Sequence, residues 1–298
     1  MPLDWDKLRV FHAAAQAGSF THAADTLNLS QSAISRQVSA LEQDIGVPLF
    51  NRHARGLVLT EQGEILFKAA KDVLIKLEGV RDRLAESKDE PSGLLRVTTT
   101  VGLGANWLVP RVKEFLELYP DMRLQLILSN EELDLTMRHA DCAIRLRLPQ
   151  QPDLVQRKLF TVHLHLFASQ DYLDKHGRPE SIADLDNHRL ITFGEQVPPY
   201  LRDMNWLEIA EREGQAPREP ALMINDIASI KRLVRQGAGI AMLPDYVKED
   251  DSELIQVLDD VEVPSFDTYF AYPEAMRNSA KLNAFRTFLL SKAKSWSY

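Results

Sequence analysis

Polar side chains between residues 30 and 39 have the composition of a surface that reads nucleic acid. Hydroxyls, an amide and an arginine can reach phosphates and base edges from a helix that lies in a major groove. At helical spacing, residues 32, 35, 36 and 39 share one face. An ordinary exposed face rich in serine is the alternative. The candidate DNA contacts in this segment are Ser30, Gln31, Ser32, Ser35, Arg36 and Ser39.

Three predicted helices would position this face. Asp4 can cap a first helix that Gly18 ends, and Ser19 or Thr21 can cap a short second one. A tight turn at residues 28–30 leads into a third helix, about 31–45. Because a recognition helix needs a supporting helix across it, this order favours the DNA interpretation. The apolar stripe of the third helix is Ile34, Val38, Leu41 and Ile45.

Residues 49–60 predict a strand, a turn at Gly56 and a second strand. Such a hairpin would be a wing, with Arg52, His53 and Arg55 at its tip, where they could contact phosphate or enter a minor groove. A solvated hairpin is the alternative. The net charge of −8 does not exclude DNA binding, because the acidic excess lies after residue 60.

Thr60 can cap a long helix that extends to about residue 88. Its apolar residues step by four and three, as in a coiled-coil seam. The seam could pack on the C-terminal part of the same chain, but a narrow stripe with charged flanks favours a partner helix, so a homodimer is predicted. Residues 87–93 predict a linker. The candidate dimerisation residues are Leu66, Ala70, Val73, Leu77, Val80 and Leu84.

Beyond the linker, apolar strand-like runs alternate with helical ones. This alternation predicts an α/β domain with a mostly parallel sheet. The first series contains strands at about 94–101, 123–128 and 141–146 and helices at 105–119 and 131–139. A second series between 162 and 243 predicts another lobe, and a strand at 267–272 and a helix at 279–294 could return to the first.

The other reactive residues form no recognisable catalytic or metal motif. Gly102-x-Gly104 lacks the third glycine of a dinucleotide loop, and the sequence contains no Walker phosphate loop or zinc-protease helix. His163 and His165 would share a strand face as a conceivable metal pair, but two ordinary strand residues are favoured. The single Cys142 predicts a buried thiol, with redox sensing as the minority alternative. We therefore expect no enzyme activity, no metal and no cofactor.

The length of 298 residues predicts about two domains. The acidic N-terminus and the lack of an apolar run near 18 residues predict a soluble, cytoplasmic protein without membrane association. Two rival classes are an enzyme on a two-lobed fold and a transport-type solute binder. The solute binder would leave the first ninety residues unexplained and would require export.

The first sixty residues resemble the LysR-type transcriptional regulators. The matching positions are Phe11, residues 18–21, Ala23-Ala24, Leu27, residues 29–35, Val38, Leu41-Glu42, Gly46, Leu49-Phe50 and Arg52. Later segments, at 107–111, 141–145 and 237–244, resemble the effector domain of that family. The opening at residues 4–12 and the wing at 52–56 look most like the LsrB/VtlR-type regulators of alphaproteobacteria.

The resemblance implies an all-α winged helix-turn-helix domain, a linker helix and a two-lobed α/β effector domain with the fold of periplasmic binding proteins. The implied boundaries are 1–60, 61–90 and 91–298. Lobe I would hold about 91–161 and 267–298, and lobe II about 162–266, with hinges near 161 and 267. The family further implies promoter DNA and RNA polymerase as partners, a homodimer or homotetramer, and a small-molecule co-inducer whose identity the sequence does not disclose.

Family pockets draw residues from the end of the first strand, the following helix start and facing parts of lobe II. Each of these residues also has an ordinary structural alternative. Hydroxyls, a helix N-terminus and an arginine would suit an anionic small molecule. The implied effector contacts are Thr99, Thr100, Val101, Gly102, Ser129, Asn130, Arg145, Thr192 and Phe193.

Overall fold

The computed structural model describes residues 4–53, 56–85, 90–136, 139–194, 197–247 and 253–294. It divides into two compact units. The first comprises the chain up to Ala85 with a short piece at 137–139, and the second comprises Glu86–Thr136 and Ala140–Tyr298. Among the described helices, none has the length and apolar character that crossing a membrane requires.

The first unit contains four helices and a two-stranded hairpin. They are α1 (Trp5–Ala17), α2 (Phe20–Leu27), α3 (Gln31–Ile45), β1 (Phe50–His53), β2 (Gly56–Leu59) and α4 (Glu61–Ala85). The predicted caps are present, since Asp4 accepts hydrogen bonds from the amides of residues 6 and 7, and Ser19 accepts one from the amide of Thr21. Local sequence thus sets the start of each of these helices.

One hydrophobic core joins the elements of this unit. Phe11, Ile34, Val38 and Leu41 are fully buried in it. Ile45, predicted as the last member of the same stripe, is 39% exposed because α3 ends there at Gly46. Leu49 and Phe50 join the core from the hairpin side, so the hairpin is fixed to the helices by apolar burial.

Gly63 allows the start of α4 to lie against this core. A Cβ atom at this position would lie 2.1 Å from the carbonyl oxygen of Leu49. That separation is far inside van der Waals contact, so any side chain there would push the helix away from the hairpin. Thr60 caps the same turn by accepting a hydrogen bond of 3.0 Å from the Gly63 amide.

The second unit is built on a nine-stranded sheet. Its strands are β3 (Gly93–Thr99), β4 (Met122–Leu128), β5 (Cys142–Arg145), β6 (Leu154–Ala168), β7 (Leu190–Thr192), β8 (Leu222–Met223), β9 (Ile240–Pro244), β10 (Ile255–Val257) and β11 (Ser265–Pro273). The order is β4-β3-β5-β11-β6-β9-β7-β8, and β10 also pairs with β6. The strands predicted at about 94–101, 123–128, 141–146 and 267–272 correspond to β3, β4, β5 and β11.

The sheet is mixed, and the prediction of a mostly parallel sheet is wrong. β3 runs parallel to β4 and β5, and β7 runs parallel to β8 and β9, whereas β6 and β11 run antiparallel to each of their neighbours. These two long strands belong to both halves of the unit. Asp267 pairs with Thr161 in their register, so the two positions predicted as hinges lie side by side.

In the described part of this unit, six α-helices accompany the sheet. They are α5 (Val101–Leu103), α6 (Val109–Leu118), α7 (Gln170–His176), α8 (Trp206–Ile209), α9 (Ile227–Arg235) and α10 (Ala280–Lys294). A π-helical turn at Gly104–Leu108 joins α5 to α6. A 3-10 helix at Pro199–Asn205 precedes α8 and was not anticipated from the sequence.

The helix predicted at 131–139 is absent from the described residues of that stretch, 131–136 and 139. Side chains compete for its backbone groups. Asp134 accepts a hydrogen bond from the amide of Thr136, and Gln151 accepts one from the amide of Leu135 while donating one to the carbonyl of Leu133. These bonds satisfy the backbone in an irregular conformation.

Candidate functional site

The predicted reading face lies on α3, in the first unit. Gln31, Ser32 and Arg36 are exposed, whereas Ser35 and Ser39 are half-buried. The Arg36 Nε donates a hydrogen bond of 3.3 Å to the carbonyl of Ser32, one turn earlier. The remaining N–H groups of this guanidinium point from an exposed helix face and could meet phosphates or base edges.

Ser30 has a local structural role. Its Oγ accepts a hydrogen bond of 3.2 Å from the amide of Ala33 and lies 3.0 Å from the Oγ of Ser32. It is therefore the N-cap of α3. Before it, Asn28 ends α2 in the left-handed conformation, with φ of 54°. This sharp turn brings α2 and α3 together within three residues.

Glu42 connects α3 to the hairpin, a role that was not predicted from the sequence. Its Oε1 accepts hydrogen bonds of 2.8 Å from the amide of Leu49 and 3.2 Å from the amide of Phe50. The carboxylate thus fixes the chain at the start of β1 relative to α3. The signal in the sequence for this role was an acidic residue close to a predicted DNA-binding surface.

The hairpin predicted as a wing is present. β1 and β2 pair antiparallel, with Phe50 opposite Leu59 and His53 opposite Gly56. The side chains of Arg52 and His53 and the whole of Arg55 lie outside the described residues. Their contact with DNA stays a prediction.

The predicted seam of α4 divides between two environments. Ala70 is fully buried and Leu66 is partly buried in the core of the first unit. Val73 and Leu77 are 41% and 50% exposed. The side chains of Val80 and Leu84 lie outside the described residues. The first turns of the seam therefore hold the unit together, and the next turn leaves apolar surface uncovered.

In the second unit, a small cavity of about 20 Å³ lies among segments from both halves of the sheet. A buried water needs roughly 10–15 Å³, so the space is close to the size of one water molecule. None of the described residues that line it carries a charge. They are Thr100, Gly102, Asn130, Leu146, Val162, Phe193, Leu201, Met204, Ile227, Pro244, Tyr246 and Phe266.

Four of the nine predicted effector contacts line this cavity: Thr100, Gly102, Asn130 and Phe193. Val101 and Ser129 support it through hydrogen bonds, from the Val101 amide to the Asn130 Oδ1 at 3.2 Å and from the Ser129 amide to the carbonyl of Thr99 at 2.9 Å. Among the described residues, the buried hydroxyls of Thr99, Thr100 and Thr192 have no hydrogen-bond partner.

Arg145 does not line the cavity. It is 2% exposed, and its guanidinium donates to the carbonyls of Ser129 and Glu131 and to the Thr98 hydroxyl, at 2.8, 3.2 and 2.8 Å. Burial lowers the pKa of this guanidinium from its usual value. The side chain therefore holds the loop at 129–131 in place. An arginine at a strand end suits either a structural role or a ligand contact, so its residue type alone did not distinguish them.

Tyr246 is the main polar residue of the cavity that was not predicted from the sequence. Tyr246 lines the cavity, and its hydroxyl would lie 3.0 Å from a Cβ atom on Gly102, another lining residue. Burial raises the pKa of Tyr246 well above its usual range, with a smaller contribution from Asp245, so the group stays a neutral hydrogen-bond donor. Tyr246 is the second residue after the end of β9, and this position after a predicted strand was the signal that the sequence offered.

The segment Pro199–Asn205 covers one side of the cavity, and we refer to it as the strap. Leu201 and Met204 line the cavity from it. The Tyr200 hydroxyl donates a hydrogen bond of 2.7 Å to the carbonyl of Asn130, on the other half of the unit. The Arg147 guanidinium lies 4.8 Å from the centre of the Tyr200 ring and pairs with Glu132 at 2.6 Å.

The remaining reactive residues have structural positions. Cys142 is a free, fully buried thiol, and burial raises its pKa well above the usual value. The Nδ1 of His165 lies 3.2 Å from the side-chain nitrogen of Gln256. Across the described ranges, we find no group of three His, Cys, Asp or Glu side chains that could hold a metal ion.

Known proteins share both parts of this architecture. CrgA, an HTH-type transcriptional regulator of Neisseria meningitidis serogroup C (strain 8013), is 31% identical over 252 residues, which cover 84% of this chain and 83% of CrgA. The full-length structure of AphB, a Vibrio cholerae virulence activator, matches with 25% identity and a TM-score of 0.63, over 97% of this chain and 99% of AphB.

A structure of full-length CbnR with its target DNA matches with a TM-score of 0.71 over 97% of this chain and 99% of CbnR. Its 22% identity supports likeness of fold alone. The closer likeness to LsrB/VtlR-type regulators stays a prediction.

Two family descriptions match the sequence in consecutive ranges. Residues 5–64 match "Bacterial regulatory helix-turn-helix protein, lysR family", and residues 88–294 match "LysR substrate binding domain". The first range contains the capped α3 with its exposed polar face, and the second contains the sheet with its cavity. The chain therefore belongs to the LysR family of DNA-binding transcriptional regulators, whose helix-turn-helix domain is followed by a substrate-binding domain.

Proposed function

We propose that α3 reads a specific promoter sequence from the major groove, with Gln31, Ser32 and Arg36 as its foremost contacts. The observation that carries this proposal is the exposed polar face of α3, set on a buried apolar stripe and started by the Ser30 cap. Ser35 and Ser39 would contribute from the edge of that face. Arg52, His53 and Arg55 of the wing would add phosphate or minor-groove contacts.

We further propose that the chain acts as a homodimer, and as a homotetramer on DNA. Val73 and Leu77 give α4 an uncovered apolar stripe, and Val80 and Leu84 continue it in the sequence. Beside this stripe, α1, α2 and α4 enclose a groove of about 670 Å³, whose walls include Phe67 and Leu74. A partner helix would bury both surfaces.

The oligomer proposal can be tested by sedimentation of purified variants. Leu77→Glu should shift the protein to a lower oligomeric state, because a charge would have to be buried in the partner interface. Ala69→Glu places the same charge on another exposed part of α4 and should leave the state unchanged. Equal sedimentation of both variants and the wild type would refute the seam.

The second unit would bind a small-molecule effector among Thr100, Gly102, Asn130 and Phe193. A binding site between two lobes can convert occupancy into a change of shape. Through that change the effector would alter the contact of the DNA-bound protein with RNA polymerase in the cytoplasm. The domain boundaries 1–60, 61–90 and 91–298, with lobe II at about 162–266, are part of this proposal.

The experiment that tests the main proposal is capture of genomic DNA fragments by the full chain at about physiological salt, with Arg36→Ala as the comparison. A shared motif with dyad symmetry, lost in the variant, is the expected result. Recovery of fragments without a common motif would overturn the proposed sequence reading. Circular dichroism of both proteins controls for folding.

A further inference from the structure

The cavity of the second unit has the chemistry of a site for an uncharged ligand. Most of its lining is aliphatic or aromatic, and its polar groups are Thr100, Asn130 and the Tyr246 hydroxyl. The Thr100 side chain is 2% exposed, lines the cavity and has no hydrogen-bond partner in the described structure. A buried hydroxyl without a partner is unfavourable, and a ligand that supplies a hydrogen bond would remove that cost.

The nearest arginines do not offer charge to a ligand. The Arg145 guanidinium is held by two carbonyls and the Thr98 hydroxyl, and Arg147 is paired with Glu132. A carboxylate or phosphate entering this cavity would lose its hydration without gaining a free cation. Burial of such an unpaired charge is strongly disfavoured, whereas burial of a neutral group with one hydrogen bond is not.

The strap determines how much space a ligand finds. With Leu201 and Met204 in place, the cavity of about 20 Å³ does not admit an organic molecule. Two contacts hold the strap to the opposite half of the unit, namely the Tyr200 hydroxyl bond to the Asn130 carbonyl and the Arg147 guanidinium over the Tyr200 ring. At its other end, Asn205 accepts a hydrogen bond from the Phe193 amide and donates one to the Gly194 carbonyl.

Because Asn205 anchors the strap beside β7, the Tyr200 end is the part of the strap that can be released without disturbing that strand. Asn205 would keep its two bonds to residues 193 and 194, while Leu201 and Met204 moved out of the cavity. The carbonyl of Asn130, freed from Tyr200, would then be available to accept a hydrogen bond from the ligand.

We propose that this cavity takes a neutral, mainly apolar ligand with one hydrogen-bonding group, and that the ligand enters by displacing the strap from Asn130. This inference rests on the proposed role of the second unit in effector binding. It differs from the anionic effector expected from the sequence, because Arg145, one of the groups on which that expectation was based, does not line the cavity.

The test compares isosteric probes on the full-length protein. Benzamide and benzoate share a ring and a planar head group but differ in charge, and their affinities can be measured by ligand-observed nuclear magnetic resonance. Benzamide should bind at least about tenfold more tightly. Tyr200→Phe, which removes only the bond to Asn130, should raise benzamide affinity by about 2- to 12-fold, the value of one net hydrogen bond.

Thr100→Val keeps the shape of the side chain and removes its hydroxyl, so benzamide affinity should fall by a similar factor. Benzoate binding that equals or exceeds benzamide binding would overturn the proposal. Absence of benzamide binding to both the wild type and Tyr200→Phe would also overturn it. So would a Thr100→Val variant whose benzamide affinity equals that of the wild type. Specific DNA capture, measured on the same preparations, separates this failure from failure of the regulator function, since a misassigned ligand leaves operator binding intact.

Discussion

Arg36 and Arg145 show how differently the two candidate sites are built. Arg36 is exposed on α3 and makes one local hydrogen bond, to the carbonyl of Ser32. Arg145 is 2% exposed and donates to three acceptors from distant parts of the sequence. Both arginines were predicted to contact a ligand. An arginine on a single helix keeps its donors for a partner, whereas an arginine at the meeting point of several segments is used by the fold.

The same contrast holds for the sites as a whole. The reading face is one contiguous segment whose cap, stripe and polar positions follow helical periodicity. The residues that line the cavity are spread along the sequence from Thr100 to Phe266. Two of the apolar ones, Leu201 and Met204, belong to the strap. Its chemistry therefore depends on which side chains turn inward, which periodicity does not specify.

The largest effect should come from Arg145→Met. The Thr98 hydroxyl is buried, and a buried acceptor left without a donor costs about 1–3 kcal/mol, while the part-buried carbonyls of Ser129 and Glu131 would add less. We expect a marked loss in the free energy of unfolding of the second unit, measured by denaturant titration. Arg147→Met, at a side chain that is 32% exposed, is the matched control and should cost less. Equal stability of Arg145→Met and the wild type would return Arg145 to the list of ligand contacts.

Arg36→Ala should act on DNA binding alone. If Arg36 reads a base, affinity for the cognate site should fall by about 1–3 kcal/mol, with little change for other sequences. Arg123→Ala removes the same charge from an exposed position on β4 of the second unit and serves as the control in a titration by fluorescence anisotropy. Loss of affinity that is uniform across sequences would assign Arg36 to phosphate contact instead.

Substitution of Ser30 separates capping from DNA contact. Ser30→Ala removes the acceptor for the Ala33 amide and should lower the stability of the first unit by about 1 kcal/mol. Ser30→Asp restores an acceptor, so stability should recover, while the added negative charge near phosphates should weaken DNA binding. Thermal unfolding and DNA titration on the same two variants make the distinction. Normal DNA binding by Ser30→Asp would show that Ser30 lies away from the phosphates.

The smallest effect concerns Asp186, which accepts hydrogen bonds from Arg212 and Arg218. These bonds lower the pKa of its carboxyl below the usual 3.8. The ionised form is therefore favoured by the fold, so its contribution to stability is present above pH 3.8 and is lost as pH falls through the lowered pKa. Asp186→Asn should be less stable than the wild type at pH 7, and the difference should narrow below pH 3.8. A difference that is constant with pH would exclude this ion pair as its cause.

Much of the first unit was predictable because its signals are local. Asp4, Ser19 and Ser30 cap the helices that were expected to follow them, and Ile34, Val38 and Leu41 are buried as their spacing predicted. In the second unit most strands were predicted, but β10, the first half of β6 and the antiparallel course of β6 and β11 were not. The absence of the helix predicted at 131–136 also has a non-local cause, because Gln151, from outside the segment, satisfies backbone groups of residues 133 and 135.

The sequence by itself determined the capped helices of the first unit, most strands of the second and the family, because these depend on residue types at fixed short spacings. Only the tertiary structure decided which polar groups remain available at the cavity. Thr98, Ser129 and Glu131 use the donors of Arg145, and Tyr200 uses the carbonyl of Asn130. A side chain can hydrogen-bond to a ligand only with donors and acceptors that the fold has not already used. Which donors and acceptors stay unused is decided when distant segments pack together.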